Sequence, residues 1–345
     1  MTAVRRRALT IGRRAFVQGA GVAGLGLLAG CGRLPGQAPA PAAGVPQIGW
    51  LSLGATGSAA LESLADAFQQ GLREYGYVAG QNVAIQYRSA EGRVDPLPGL
   101  ASELVDLPVD VIVAGAGPAV EAAKTATATI PIVMLASGDP VGTGLVASLA
   151  RPGGNVTGLT FISPQLSGKR LQLLKEAFPS VSRVAALWNP AELSNALEFR
   201  ESELAAQTLG VELQSLDVRG PTEFASAFGT VSGKRSDALI VFAHALTIAN
   251  SQQIADLAAT TGLPAMYGVR PFVAAGGLMA YGPDLQQLYR RAAYYVDRIL
   301  KGAKPAELPV EQPREFEFVI NLKTAEALGL TIPQHVLLQV TEAIR

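Results

Sequence analysis

Val109-Asp-Val-Ile-Val-Ala-Gly-Ala-Gly-Pro-Ala-Val-Glu-Ala-Ala-Lys-Thr-Ala-Thr127 sets a strand, a turn and a helix side by side. Val109–Ala114 is an apolar, β-branched run of the kind that fills a sheet covered on both faces. Gly115-Ala116-Gly117-Pro118 stops it, with proline suited to a first helical turn and glycines that let a ligand approach the backbone. Ala119–Thr127 then reads as helix. The same cadence runs outward in both directions. Strands are predicted at Ile48–Leu53, Val83–Arg88, Ile130–Ala136 and Val156–Phe161, with helical patterns at Ala59–Tyr75, Leu97–Leu107 and Leu145–Ala150. A second series follows. Its helices are Gln165–Phe178, Leu193–Leu209, Glu223–Val231 and Ile248–Thr261; its strands are Val184–Trp188, Val211–Val218, Ala238–Phe242, Ala265–Tyr267 and Leu278–Tyr281. Strands alternating with helices at this spacing imply parallel sheets. Two such series imply an α/β protein of two doubly wound lobes, with ligand-ready loops at the C-terminal ends of the strands.

Beyond Tyr281 the strongest amphipathic pattern, Leu285–Leu300, closes at Lys301-Gly302, and Pro305, Pro309 and Pro313 punctuate an extended connector. A strand at Glu315–Ile320 and helical patterns at Leu322–Leu328 and Val336–Ile344 end the chain. Elements arriving after both series are complete must return to a lobe already built, so the chain crosses between lobes more than once and makes a multi-crossover hinge. The expected partition is residues 47–160 with 283–312 in the first lobe, and 161–282 with 313–345 in the second.

The 345 residues are 49% hydrophobic and 16% charged, which suits large buried sheets and excludes a disordered chain. Basic and acidic residues balance at 28 each, but five arginines and no acids fall in the first 30 positions. The remaining body is mildly acidic, and gives no electrostatic footing for nucleic acid. Arg5, Arg6, Arg7, Arg13 and Arg14 precede an uncharged run from Val17 to Gly30, too short and glycine-rich for a comfortable membrane span, and suited to an export signal at residues 1–30. Arg13-Arg14-Ala15-Phe16-Val17 resembles a twin-arginine signal. Leu28-Ala29-Gly30-Cys31 resembles a bacterial lipobox, which makes Cys31 the expected site of lipidation; a buried thiol is the alternative. As the only cysteine, Cys31 excludes an intrachain disulfide. Residues 31–46, rich in Pro, Ala and Gly, read as a tether. Gly19-Ala-Gly-Val-Ala-Gly24 matches the dinucleotide fingerprint letter for letter, but it lies inside the signal and lacks a strand before it.

Catalytic classes fall away in turn. Two histidines, His244 and His335, stand far apart without cysteine or carboxylate at ligand spacing, so no metal site and no cofactor are expected. Neither Ser137 nor Ser163 sits in a G-x-S-x-G elbow. The glycine-dense stretch Gly138–Gly158 has no lysine and so is no phosphate loop. Its Asp139-Pro140 is expected to start a short helix that Arg151-Pro152 ends. No catalytic residue is assigned. What remains is the set of strand ends: Gly54 and Ser58, Gly115 and Ala116, Ser137 and Asp139 from the first series; Asn189, His244, Tyr267 and Tyr281 from the second. Facing one another, these would line a cleft for a zwitterion, its carboxylate on backbone N–H groups near 54–58 and 115–117 and its ammonium on Asp139. Tyr267 and Tyr281 would stack an apolar or aromatic side chain. Each has a plainer role available: Asp139 as a helix cap, His244 as a structural histidine, the tyrosines as core, and Asn189 as a turn residue.

Several long segments carry a resemblance: Gly71-Leu-Arg-Glu-Tyr-Gly-Tyr-Val-Ala-Gly-Gln-Asn-Val83, Gly138–Gly158, Gly276-Gly-Leu-Met-Ala-Tyr-Gly-Pro283, Ile299-Leu-Lys-Gly-Ala-Lys-Pro305 and Phe318–Pro333. From about Gln47 to Arg345 the chain resembles the substrate-binding proteins of ABC importers, in the family that includes tryptophan- and tyrosine-binding lipoproteins. The resemblance implies a type I periplasmic-binding-protein fold with three crossovers and the ligand enclosed at the hinge. It implies binding without turnover: capture of an amino acid, with an aromatic one the leading candidate, on the extracytoplasmic face of a bacterial membrane, and delivery to a permease driven by ATPase subunits. A sensor lipoprotein of the same fold, signalling to a membrane receptor, is the alternative. A sugar-repressor type of regulator would need a basic helix-turn-helix where this chain has its signal. An enzyme would need a catalytic pair that the sequence does not offer.

Overall fold

The computed structural model describes residues 44–345 except residue 235, with side chains at 232–234 also left aside; the signal, most of the tether, Arg13, Arg14 and Cys31 lie outside the described residues. The first sheet holds β1 (Gln47–Ser52), β2 (Ala84–Ser89), β3 (Val111–Gly115), β4 (Ile132–Ser137) and β5 (Val156–Thr160), all parallel in the order β2-β1-β3-β4-β5. Alternation along each strand decides which helices cover which face. Trp50, Val113 and Val133 turn toward α1 (Ala59–Glu74), whereas Leu51, Ile112 and Met134 turn toward α2 (Leu97–Val105) and α3 (Gly117–Ala126).

The second lobe opens with α4 (Ser163–Ala177), β6 (Arg183–Trp188), α5 (Leu193–Leu209), β7 (Glu212–Asp217), α6 (Phe224–Lys234) and β8 (Ala238–Val241). It continues through α7 (Ala245–Ala249), α8 (Ser251–Thr261), β9 (Ala265–Tyr267), α9 (Pro271–Ala274) and β10 (Met279–Pro283). The chain then gives α10 (Leu285–Leu300) back to the first lobe, where it packs along α1 and over β4. Finally β11 (Phe316–Asn321), α11 (Leu322–Ala327), α12 (Gln334–Leu337) and β12 (Glu342–Ile344) complete the second sheet, in the order β12-β11-β10-β9-β8-β6-β7. Only the β10–β11 pair is antiparallel. That reversal follows from the route: β11 is entered from the first lobe, through the connector after α10, rather than through a crossover helix.

Three segments therefore join the lobes: residues 160–163, 283–285 and 311–316. The first holds Ile162 at φ 46°, a left-handed conformation uncommon for a β-branched side chain. The third is stitched to the β5 edge, because Glu311 N–H donates to Gly158 O and Thr160 N–H donates to Glu311 O, each at 3.0 Å. Arg291 of α10 holds the Glu311 carboxylate through two nitrogens at 2.9 and 2.7 Å.

Two expected helices do not form. Residues 145–150 form bends and irregular backbone after a turn that ends at Gly144, whose φ is 74°. Leu145 and Val146 are buried against the α2–α3 layer, so the apolar run serves that packing from an irregular backbone. Residues 336–344 form a short helix and then β12, because Glu342–Ile344 finds an open parallel edge on β11. Edge pairing satisfies those backbone groups, and the weak apolar periodicity there does not compete with it.

Candidate functional site

β1, β3 and β4 of the first sheet end opposite β6 and β8 of the second, with the first two crossovers as the back wall. Between them lies an inner cavity of about 80 Å³. At the ~10–15 Å³ that each water requires, it has room for roughly five to eight waters, the scale of a small organic ligand. Leu53, Gly117, Glu192, Ser194 and His244 separate it from an outer cavity of about 760 Å³ toward the mouth.

The inner cavity is amphipathic. Leu61 and Leu64 of α1, Phe161 of the first crossover, Ile248 of α7 and Leu285 of α10 make an apolar end. Its ionisable groups are Glu192, His244 and Tyr289. Glu192 precedes α5, is 8% exposed, and makes no side-chain hydrogen bond among the described residues. Burial, and then the charge of Glu198 one and a half turns along α5, push its carboxyl up to about 7. His244 begins α7, and its Nδ1 lies 4.0 Å from Glu192 Oε2. Burial pulls the imidazole down to about 3, so it is neutral and does not compensate the carboxylate. Its Nε2 has no partner among the described residues. Glu192 is thus an acid sealed into a cavity with no cation of its own.

The residues expected at the cleft divide. Gly54, Ser58, Gly115, Ala116 and His244 line the inner cavity, and Ser137 and Asn189 line the outer one. Three of the five backbone donors at 54–58 are already engaged: Gly54 N–H donates to Ser52 Oγ at 3.0 Å, Thr56 N–H to Glu91, and Ser58 N–H to Ala55 O. Those at the start of α3 are free of helical partners by position. There Ala116 adopts φ 75° and ψ 155°, a region costly for any residue but glycine, so backbone strain of the order of 1–3 kcal/mol sits on the cavity wall. Asn189 shapes the turn that carries Glu192: its Oδ1 accepts from Ala191 N–H at 3.0 Å and its own N–H donates to Asn195 Oδ1 at 3.2 Å.

Asp139, Tyr267 and Tyr281 are not brought to either cavity. Asp139 Oδ1 accepts from Val141 and Gly142 N–H at 3.2 and 2.8 Å, closing its own loop. Tyr267 is fully buried in the second lobe and stacked on Phe272 with ring centroids 4.8 Å apart. Tyr281 stacks on Phe316 within the β10–β11 pair, while its carbonyl accepts from Arg170 Nε at 2.9 Å. Sequence reasoning missed Glu192, Tyr289 and a buried ion pair behind the site. In that pair Arg170 Nη1 meets Glu198 Oε1 at 2.6 Å, and the same guanidinium donates to Ser163 Oγ at 3.2 Å and Gly268 O at 3.3 Å. One signal was available: Glu192 follows the strand-ending turn Asn189-Pro190 and immediately precedes a helix. Nothing in the spacing marked Tyr289 or Arg170 apart from core.

Two parallel-sheet lobes, three crossovers and an amphipathic cavity at the hinge define a solute-binding protein of the type I periplasmic-binding-protein fold. The chain belongs to the ABC transporter substrate binding protein family, whose pattern it matches over residues 57–344. It is 29% identical over 271 residues, 78% of this chain and 77% of the relative, to a tyrosine-binding protein of Clostridioides difficile (strain R20291). Among solved structures, a conserved domain protein from Vibrio cholerae superposes with a TM-score of 0.82 at 29% identity, covering 87% of this chain and all of the other. An ABC domain from Streptococcus pneumonia in complex with L-Trp gives 0.81, also at 29% identity and the same coverage. The protein is therefore a binding protein rather than an enzyme.

Proposed function

We propose that the protein captures an amino acid with an apolar, aromatic-sized side chain and delivers it to an ABC permease, working as a lipoprotein on the extracytoplasmic face of a bacterial membrane. The observation that carries the ligand class is the unpaired Glu192 carboxylate facing a cavity whose far end is apolar. Buried carboxylates need a cation or strong donors, and an α-ammonium group supplies both. The apolar end then takes the side chain, and the first-turn N–H groups of α3 suit the carboxylate. A tyrosine-binding relative and an L-Trp complex of a similar structure support an aromatic side chain. Glu192 thereby takes the ammonium role that the sequence assigned to Asp139. Anchoring rests on the lipobox at Cys31 and export on Arg13-Arg14; the permease and its ATPases are the partners that the family implies.

The test is a thermal-shift and calorimetric screen of the purified protein against the twenty L-amino acids. One or more aromatic members should raise Tm and bind with 1:1 stoichiometry. Silence across the whole panel would remove the amino-acid assignment. Loss of radiolabelled lipid incorporation in Cys31→Ser would support the anchor, and unchanged labelling would exclude it.

A further inference from the structure

The hydroxyl of Tyr289 makes no hydrogen bond among the described residues, although the side chain is only 8% exposed and lines the inner cavity. Its ring is fixed by packing against Trp50, with centroids 6.1 Å apart, and burial pushes the phenol pKa above its ordinary value, so it is a neutral O–H donor at any ordinary pH. The hydroxyl lies beside the end of β3: a Cβ added at Gly115 would stand 3.2 Å from it. Gly115 is in register with Ser52 of β1, and the β1–β3 boundary is where the strand order of the first sheet reverses. In open α/β sheets that reversal opens the crevice in which ligands seat. An unpaired donor there, nine-tenths buried and lining the same cavity as Ala116 and Gly117 at the start of α3, calls for an acceptor from outside the chain.

The geometry points to Tyr289 as the residue that reads the carboxylate of the ligand, donating its hydroxyl to one oxygen from the first-lobe side while Glu192 takes the ammonium from the second. This rests on the amino-acid assignment above and adds a residue that selects intact amino acids over their decarboxylated amines. Gly115 serves the same purpose, since a Cβ there would crowd the hydroxyl at 3.2 Å and shift it by a few tenths of an ångström.

The experiment compares L-tryptophan with tryptamine, by calorimetry on the full protein and on Tyr289→Phe, with Tm of the empty proteins as the check on folding. A hydrogen bond to a charged group predicts that Y289F loses about 10- to 100-fold in affinity for L-tryptophan while tryptamine binding is unchanged, so that the preference for the amino acid shrinks by that factor. Gly115→Ala should shrink it in the same direction. Unchanged L-tryptophan affinity in Y289F, or equal losses for both compounds, overturns the assignment of Tyr289. A wild-type protein that takes up no amino acid overturns instead the ligand class on which it rests.

Discussion

Replacing Glu192 by Gln should make the empty protein more stable and the ligand bind more weakly. The carboxyl is raised from 4.5 to about 7 by burial and by Glu198. At ~1.36 kcal/mol per tenfold change in acidity, the ionised form costs the closed, empty protein about 3 kcal/mol. The sign follows from proton linkage. The folded state holds this proton more tightly than the unfolded chain, so stability is lost as pH rises from about 4.5 to 7, with no further loss above that. Gln carries no charge and escapes the loss. At pH 8 the empty variant should therefore gain up to about 3 kcal/mol, or roughly 6 °C in Tm for a chain of this size, and at pH 5 less than about 1 kcal/mol. Opening of the lobes, which lets water reach residue 192, lowers the gain without reversing it. The ligand ammonium, by contrast, would meet an amide in place of a carboxylate, a loss of about 1.5–3 kcal/mol or 10- to 150-fold in Kd. Calorimetric melts at pH 5 and pH 8, with and without L-tryptophan, read both effects. Equal Tm at pH 8 together with undiminished affinity would refute the reasoning.

The same carboxyl makes binding pH-dependent. Below about 7 the empty site takes up a proton that an ammonium ligand must displace, so Kd should rise about tenfold per pH unit between 7 and 5, measured by calorimetry; His244, neutral throughout, should not contribute. Arg170→Met leaves Glu198 buried without its partner and should lower stability by about 3–5 kcal/mol in chemical denaturation, whereas Arg170→Met with Glu198→Leu should recover most of it. Gly71→Val should separate α1 from α10, because even a Cβ at Gly71 would overlap Arg290 O and stand 2.9 Å from Ala293 Cβ; we expect a loss of more than 2 kcal/mol with the second lobe unaffected, read by hydrogen exchange.

The fold was legible because parallel strands buried on both faces are written as near-continuous apolar runs, and such runs depend little on context. Ile48–Leu53 and Val109–Ala114 could hardly be anything else. The multiple crossings were legible for a topological reason: α10 and β11 arrive after both series are full. Residues 145–150 and 336–344 escaped because their apolar residues answer to neighbours distant in sequence, the α2–α3 layer and the open β11 edge. At the site, the strand-end loops were identifiable, but which of their side chains reach the cavity depends on local hydrogen bonds. Asp139 spends its oxygen on its own loop. Glu192, three residues past Asn189, is held by that residue's turn so that its carboxylate stays unpaired. Tyr289 sits in the best helical stripe of the chain, where an aromatic reads as core, and it is core for all but one atom.

Where the unpaired groups sit bears on how binding would drive closure. Glu192 projects from the second lobe and Tyr289 from a helix packed on the first, so each lobe supplies one unmet half of a zwitterion's requirements. A ligand shifts an open–closed equilibrium only as far as it binds the closed form better. A head group held by one lobe alone would bind both forms alike and close nothing. Held by both, it relieves the buried charge of Glu192 only when the lobes meet. The glycine-dense loop after β4 permits that meeting: a Cβ at Gly138 would stand 3.0 Å from Ser194 Cβ, and one at Gly142 would stand 2.9 Å from Leu197 Cδ1, both on α5. A side chain at Gly138 would press on Ser194, whereas one at Gly142 would first meet Asp139 of its own loop. Of the glycines that in sequence look like a cradle for phosphate, Gly138 and Gly142 are the two that meet α5 of the second lobe.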